Sequence, residues 1–279
     1  MSENSKPTLL NKLKQAQSKL EQANIATARL DTLVLAEFIL NKNRAWILAN
    51  PNFEVNAKMS QKFDELIKLR SHNIPIAYLT GKKEFYGRDF IVTPDVLIPR
   101  PETEMLIEIA KKTLKTGILL DVGTGSGAIA VTLACETALR IEACDISEAA
   151  LEIAQKNSKL ISEQTDQENT HQHEIKFFKS DLLSNTNRTY DMIIANLPYV
   201  DKSWQTSPET DFEPQSALFA DDFGLKLIKK LLDQAPTRLS KSGYVLLEAD
   251  PRQHKLISKY SDKFRTLEQK DFALLLQKI

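Results

Sequence analysis

Apolar residues between Thr8 and Leu79 recur at three- and four-residue steps, first Leu9, Leu10, Leu13 and Leu20, then Leu30, Leu33, Val34 and Phe38. That spacing gathers them on one face of a helix, so this region is predicted to be helical. Asn50-Pro51-Asn52 breaks the pattern, and a further helix is predicted from about Asn56 to Arg70. The rhythm changes at Lys82. Glu84 to Val92 predicts two short strands around a turn at Gly87. Pro94, Pro99 and Pro101 then exclude helix and stiffen the chain. Glu102-Thr103-Glu104 predicts the start of a helix reaching about Leu114, with acids in the first turn where the helix dipole favours them.

Beyond Gly117, short apolar runs alternate with helical patterns. Strands are predicted at Ile118–Val122, Arg140–Asp145, Ile175–Lys179, Tyr190–Ala195, Gly243–Ala249, Phe264–Gln269 and Phe272–Lys278. Helices are predicted at Ala128–Ala138, from the cap Ser147 to about Leu160, at Gly224–Leu239, and after Pro251. This alternation implies an α/β fold with a doubly wound, mostly parallel, seven-stranded sheet. The last two strands are too closely joined for a helix between them, so the last strand should be antiparallel, at the sheet's end.

A chain of 279 residues suits one medium domain and one small one. The expected division is a helical domain at 1–80, a β-hairpin and Pro-rich linker at 81–100, and an α/β domain at 101–279. Lys+Arg and Asp+Glu balance at 37 each, so strong nonspecific attraction to nucleic acid is not expected. Residues 1–80 nevertheless hold eleven Lys+Arg against seven Asp+Glu, either as a solvated surface or as a docking face for an acidic or RNA-containing partner. Cys135 and Cys144 read as small apolar residues, which fits a reducing, cytoplasmic setting. The polar N-terminus is expected to open no signal peptide, and no apolar run approaches the ~20 residues that span a bilayer. His171 and His173 lie two apart in the polar patch Ser162 to Glu174, without a third ligand nearby; no metal site is expected.

Three of the eight glycines fall within Gly123-Thr124-Gly125-Ser126-Gly127, between a strand and a helix. Glycine there allows a tight turn and close approach of a ligand to the backbone. Asp145 ends the next strand, 22 residues after Gly123, where an acid can accept from both hydroxyls of a ribose. A nucleoside-bearing cofactor follows. Gly123, Gly125 and Ala128 also satisfy the loose dinucleotide fingerprint. Two features favour S-adenosylmethionine over a nicotinamide cofactor. Asp121 precedes the loop, placed for an ammonium group, and the fourth strand ends in Asn196-Leu197-Pro198-Tyr199, for which hydride transfer has no evident use.

Asp121-x-Gly123-x-Gly125-x-Gly127 resembles the first motif of class I S-adenosylmethionine-dependent methyltransferases. Asn196 to Tyr199 resembles their Asn-Pro-Pro-Tyr motif, used on adenine amines and on the glutamine amide. Glu84-Phe85-Tyr86-Gly87, running on to Leu97-Ile98-Pro99-Arg100-Pro101-Glu102-Thr103-Glu104, is similar to the signature of bacterial peptide chain release factor glutamine methyltransferases. Phe212 to Leu218 and Asp222 to Leu225 match later segments of that family.

The resemblance implies that Gly123, Thr124, Gly125, Ser126 and Gly127 hold the methionine part of the cofactor, and Asp145 its ribose. Asp181 and Leu182 border the adenine, with Leu182 as the apolar edge. Arg100 to Glu104 line the cleft, and Asn196 also faces the cofactor. Asn196, Leu197, Pro198 and Tyr199 bind the substrate glutamine, with Asn196 and Tyr199 as the catalytic pair. The implied partner is a release factor, with no membrane, no stable nucleic-acid partner and a monomeric enzyme expected.

An amide nitrogen is a poor nucleophile because its lone pair is delocalised. Acceptors on its two N–H groups, the Asn196 side-chain oxygen and the Leu197 carbonyl, would turn that pair toward the methyl while Tyr199 packs on the amide plane. Leu197 stands where the family usually has proline, but the proposed role uses only its carbonyl. The glycine expected after Glu248 is missing. Asn-Leu-Pro-Tyr also occurs in ribosomal RNA adenine dimethyltransferases, so an adenine amino-group methyltransferase acting on RNA or DNA stays open, as does a noncatalytic binder.

Overall fold

The computed structural model describes residues 7–164 and 174–279, so His171 and His173 lie outside it. The chain divides into two compact units, Met1–Gly81 and Lys82–Ile279.

The first unit contains α1 (Leu9–Gln22), α2 (Ala28–Leu40), α3 (Arg44–Ala49), α4 (Ala57–Arg70) and α5 (Ile76–Thr80). Thr8, Asn43 and Asn56 cap α1, α3 and α4 through their side-chain oxygens. Leu9, Leu20, Leu35, Ile47, Phe63 and Ile67 form the core. A buried ion pair, Arg70 Nε to Asp31 Oδ2 at 2.7 Å, ties α4 to α2. Pairing lets two charges sit inside so small a core.

The second unit opens with a hairpin, β1 (Lys82–Phe85) and β2 (Arg88–Ile91). Its turn residues Tyr86 and Gly87 have φ of 51° and 74°, the double left-handed turn that matches strand twist. Helix α6 (Glu104–Thr113) follows a 3-10 turn at Pro101–Thr103. Then come β3 (Ile118–Val122), α7 (Ala128–Glu136), β4 (Arg140–Asp145), α8 (Glu148–Gln164), β5 (Lys176–Lys179) and β6 (Tyr190–Ala195). The chain continues through α9 (Gln215–Leu218), α10 (Lys226–Gln234), β7 (Leu239–Glu248), α11 (Pro251–Tyr260), β8 (Phe264–Lys270) and β9 (Ala273–Lys278).

Seven strands form one sheet in the order β5-β4-β3-β6-β7-β9-β8. The first five are parallel neighbours, and β9 runs antiparallel to both β7 and β8. The last strand is therefore antiparallel as expected, but it inserts beside β7 and leaves β8 at the edge. The helix expected at Gly224–Leu239 is shorter because Pro236 falls in the 3-10 turn Ala235–Thr237 that ends α10, and Leu239 already belongs to β7.

Alternate residues of each strand feed two cores. Leu119, Ile141, Met192 and Ile194 face α6 and α7, together with Phe85 and Phe90 of the hairpin. Leu120, Cys144, Ile193 and Val245 face α10 and α11. Asn157 of α8, fully buried, binds both the N–H and the carbonyl of Ile91 and donates to the Ser126 carbonyl. One amide thus fixes the hairpin to the glycine loop. Asn157→Ala should cost roughly 1–3 kcal/mol, since it strands buried backbone groups. Chemical denaturation would read it; an unchanged midpoint would contradict this account.

Candidate active site

In register, Val122 of β3 lies opposite Cys144 of β4 and Ala195 of β6. The loops after these strands therefore emerge side by side. Chain order reverses between β3 and β6, and open α/β sheets bind ligands at such a crevice. A cavity of about 230 Å³ opens there.

Gly123, Thr124, Gly125, Ser126, Asp145, Leu182 and Asn196 line this cavity. Gly127 does not: with φ of 81° it is the residue before α7. Asp145 accepts from Gly125 N–H and Ser147 N–H, each at 2.9 Å. One bond per carboxylate oxygen leaves lone pairs for ligand hydroxyls. Asp145 thus also shapes the glycine loop, a role its spacing did not reveal. Leu182 is buried with φ of 51°, a strained conformation for leucine. Asp181 also lines the cavity and pairs with Lys230 of α10. Ile146 is 65 % exposed at the same wall, an apolar surface that strand-and-helix patterning gave no reason to single out.

Asp121 sits beneath the loop, fully buried. Its Oδ2 accepts from the Thr124 hydroxyl at 2.7 Å, while Oδ1 has no hydrogen-bond partner. Burial pushes the carboxyl up to about 7, and the Thr124 bond holds it lower than burial alone would. An unsatisfied buried acceptor and a half-exposed acid with free lone pairs fit a ligand carrying a positive charge and vicinal hydroxyls.

Asn196, Leu197 and Pro198 line the cavity on the β6 side. The Asn196 Nδ2 donates to Thr103 Oγ1 at 3.1 Å, so its Oδ1 is left out of that bond. The Leu197 side chain is buried and lies 3.0 Å from where a Cβ on Gly123 would stand. Leucine here packs on the glycine loop, a contact that explains how the departure from proline is accommodated. Tyr199 is outside the cavity wall; its hydroxyl donates to Glu248 Oε1 at 3.1 Å, and burial raises the phenol well above its ordinary range.

Three supports were not foreseen. Gln253 donates to the carbonyls of Tyr199 at 2.8 Å and Phe223 at 2.7 Å, while its oxygen accepts from Asp250 N–H within the capping box of α11. Glu213, buried, accepts from Ile98 N–H at 3.1 Å and from Arg100, joining the Pro-rich segment to the loop after β6. Glu248 ends β7, is 1 % exposed, and has Oε2 without a partner. Of the segment expected to line the cleft, Arg100 and Thr103 do so, whereas Glu104 accepts from Tyr86 N–H at 3.0 Å and holds the hairpin. Trp204 packs edge-on against Phe223, with the Arg252 guanidinium 3.7 Å from its ring centre. Cys135 and Cys144 are not joined by a disulfide. Among the described residues no cluster of His, Cys, Asp and Glu could hold a metal, and no helix is long and apolar enough to cross a membrane.

Residues 11–81 match the family described as the PrmC N-terminal domain, and residues 101–211 match the methyltransferase small domain. The chain is 40% identical to the release factor glutamine methyltransferase of Koribacter versatilis, covering 88% of this chain and 89% of that protein. The chain belongs to this family. The Coxiella burnetii release factor glutamine methyltransferase is 38% identical over 88% of this chain and 84% of its own. Among solved structures, a methyltransferase from Pyrococcus furiosus shares the fold, with a TM-score of 0.51 at 18% identity over 70% of this chain and 91% of that one. In this family member, a Cβ on Gly224 would fall 2.0 Å from the Tyr199 carbonyl. Gly224→Ala should therefore displace Tyr199, beyond the ~1–2 kcal/mol for a left-handed non-glycine residue. The melting temperature should fall and turnover with it; wild-type turnover would contradict the close packing.

Proposed function

We propose that this protein methylates the side-chain amide nitrogen of the glutamine in the Gly-Gly-Gln motif of peptide chain release factors, using S-adenosyl-L-methionine. The observation that carries the reading is the placement of Asn196: its amide nitrogen is engaged by Thr103 on the same cavity wall as the glycine loop. That leaves a side-chain acceptor for a substrate N–H.

When bound, S-adenosylmethionine supplies an electrophilic methyl on a sulfonium. Gly123 to Ser126 would cradle the methionine part, with Gly127 outside the cavity at the start of α7; Asp121 beneath the loop would suit its ammonium, Asp145 would accept from the ribose hydroxyls, and Leu182 with Ile146 would flank the base. Asn196 and the Leu197 carbonyl accept from the two N–H groups of the glutamine amide, and Tyr199 sets the flat side of the substrate site. Orientation of this kind can supply ~7–11 kcal/mol of the barrier. No strong base is needed before transfer, because the product proton can leave late. The helical unit at residues 1–80, with its excess of cationic side chains, serves substrate recognition. A substrate that works in translation places the enzyme in the cytoplasm, acting as a monomer without a stable nucleic-acid partner. Adenine methylation on RNA or DNA is disfavoured by the balanced charge and by the release factor relatives.

Labelled S-adenosylmethionine with release factor, RNA and DNA offered separately tests this. Label should pass to the release factor and vanish when its motif glutamine is changed to alanine. Label on nucleic acid alone would sink the reading. Asn196→Ala should lower kcat about 100-fold or more, the scale for losing one aligned polar group at a reacting centre, with cofactor affinity little changed. Equal loss of both would mean the role of Asn196 is misassigned.

A further inference from the structure

S-adenosylmethionine carries a carboxylate as well as an ammonium and a sulfonium. Asp121 suits the ammonium, Asp145 the ribose, and Leu182 with Ile146 the base, which leaves the carboxylate without a partner. Its surroundings are poor for an anion. Asp95, Asp145 and Asp181 line the cavity, and Asp121 lies buried beneath the glycine loop. Among the described residues that line the cavity, Arg100 is the only one with a positive charge.

The backbone of Arg100 is fixed on both sides. It lies between Pro99 and Pro101, with φ of −101° and ψ of 143°, the extended form that a following proline favours. Its carbonyl accepts from Thr103 N–H at 3.1 Å and closes the 3-10 turn Pro101–Thr103. The Thr103 hydroxyl accepts from Asn196 Nδ2. The Asn196 carbonyl in turn lies 3.9 Å from where a Cβ on Gly123 would stand. The turn that carries Arg100 is therefore tied through Asn196 to the first glycine of the loop, at the end of the cavity that suits the methionine part.

The side chain of Arg100 is tethered without being used up. Its Nη2 donates to Glu213 Oε1, while Glu213 Oε2 accepts from Ile98 N–H at 3.1 Å. Glu213 is buried and Arg100 is partly exposed. A guanidinium has five N–H donors in a planar fork that matches a carboxylate in two-pronged fashion. Glu213 does not take it that way, because its second oxygen holds Ile98. One donor is engaged and the rest of the fork is left for a second carboxylate.

We infer that Arg100 is a cofactor-binding residue that takes the carboxylate of S-adenosylmethionine with the donors that Glu213 leaves. The inference rests on the reading above that the glycine loop holds the methionine part. It gives one short turn two tasks: Arg100 fixes the methyl donor, and Thr103, three residues on, holds the Asn196 amide that receives the methyl acceptor.

The test is calorimetric binding of S-adenosylmethionine and of its decarboxylated form, which keeps the ammonium, sulfonium, ribose and adenine. The proteins are the wild type, Arg100→Gln, and Arg100→Gln combined with Glu213→Gln. The double variant replaces the ion pair by two amides, so no unpaired charge is left buried. The wild type should bind S-adenosylmethionine roughly 10–100-fold more tightly than the decarboxylated form, the range for hydrogen bonds to a charged group. Both variants should lose that factor for S-adenosylmethionine and bind the decarboxylated form as the wild type does. A wild type without the preference, or a double variant that keeps it, overturns the inference and leaves the cofactor reading intact. So does a double variant that weakens both ligands equally. No binding of S-adenosylmethionine by the wild type overturns both.

Discussion

The register between β3 and β6 is the constraint on which the site depends. Val122 opposite Ala195 brings the glycine loop and the Asn196 segment out together. A slip of one residue would turn Leu120 and Ile193 toward the wrong core and carry Asn196 away from the loop. The slip is resisted because these strands are buried on both faces, each face filled by different helices. The same parallel arrangement sets Asp145, Leu182 and Glu248 at or just beyond the carboxyl ends of neighbouring strands. The chemistry is thus placed by core packing, far from any group that reacts.

That placement works against stability at several points. Asp121 and Glu248 are buried carboxyls, each with one oxygen unsatisfied, and Leu182 holds a backbone conformation that leucine disfavours. Such groups persist where the surrounding structure over-determines them. Here the Thr124 hydroxyl, the Tyr199 hydroxyl and the Gln253 amide provide that support. The hairpin contributes as well: Phe85 and Phe90 are in the core beside α6, so the segment carrying Arg100 and Thr103 starts from a fixed base.

What was legible in the chain were features with short-range signals. Strands β3, β4 and β6 follow from unbroken apolar runs, and the glycine loop from three glycines in five residues. The cavity contacts of Asn196, Leu197 and Asp145 follow from their position at strand ends. What was not legible depends on contacts distant in sequence. Glu213 meets Ile98 across 115 residues, and Gln253 meets Tyr199 across 54. Glu213 falls in a segment, Phe212 to Leu218, that the family resemblance singles out, but nothing local reveals its partner; Gln253 reads as an ordinary polar position near a helix start. The insertion of β9 beside β7 was hidden for the same reason: a hairpin signal says that two strands pair, and leaves open which of them takes the inner place. Glu104 was readable as an acid at a helix start, but its partner Tyr86 is in the hairpin turn, 18 residues earlier.

The central claim is that the segment Asn196 to Tyr199 receives a glutamine amide. Its most direct measurement is tandem mass spectrometry of a release factor after incubation with this protein and S-adenosylmethionine. The account predicts one added methyl, carried on the side-chain nitrogen of the motif glutamine. A methyl on any other residue of the release factor would contradict it.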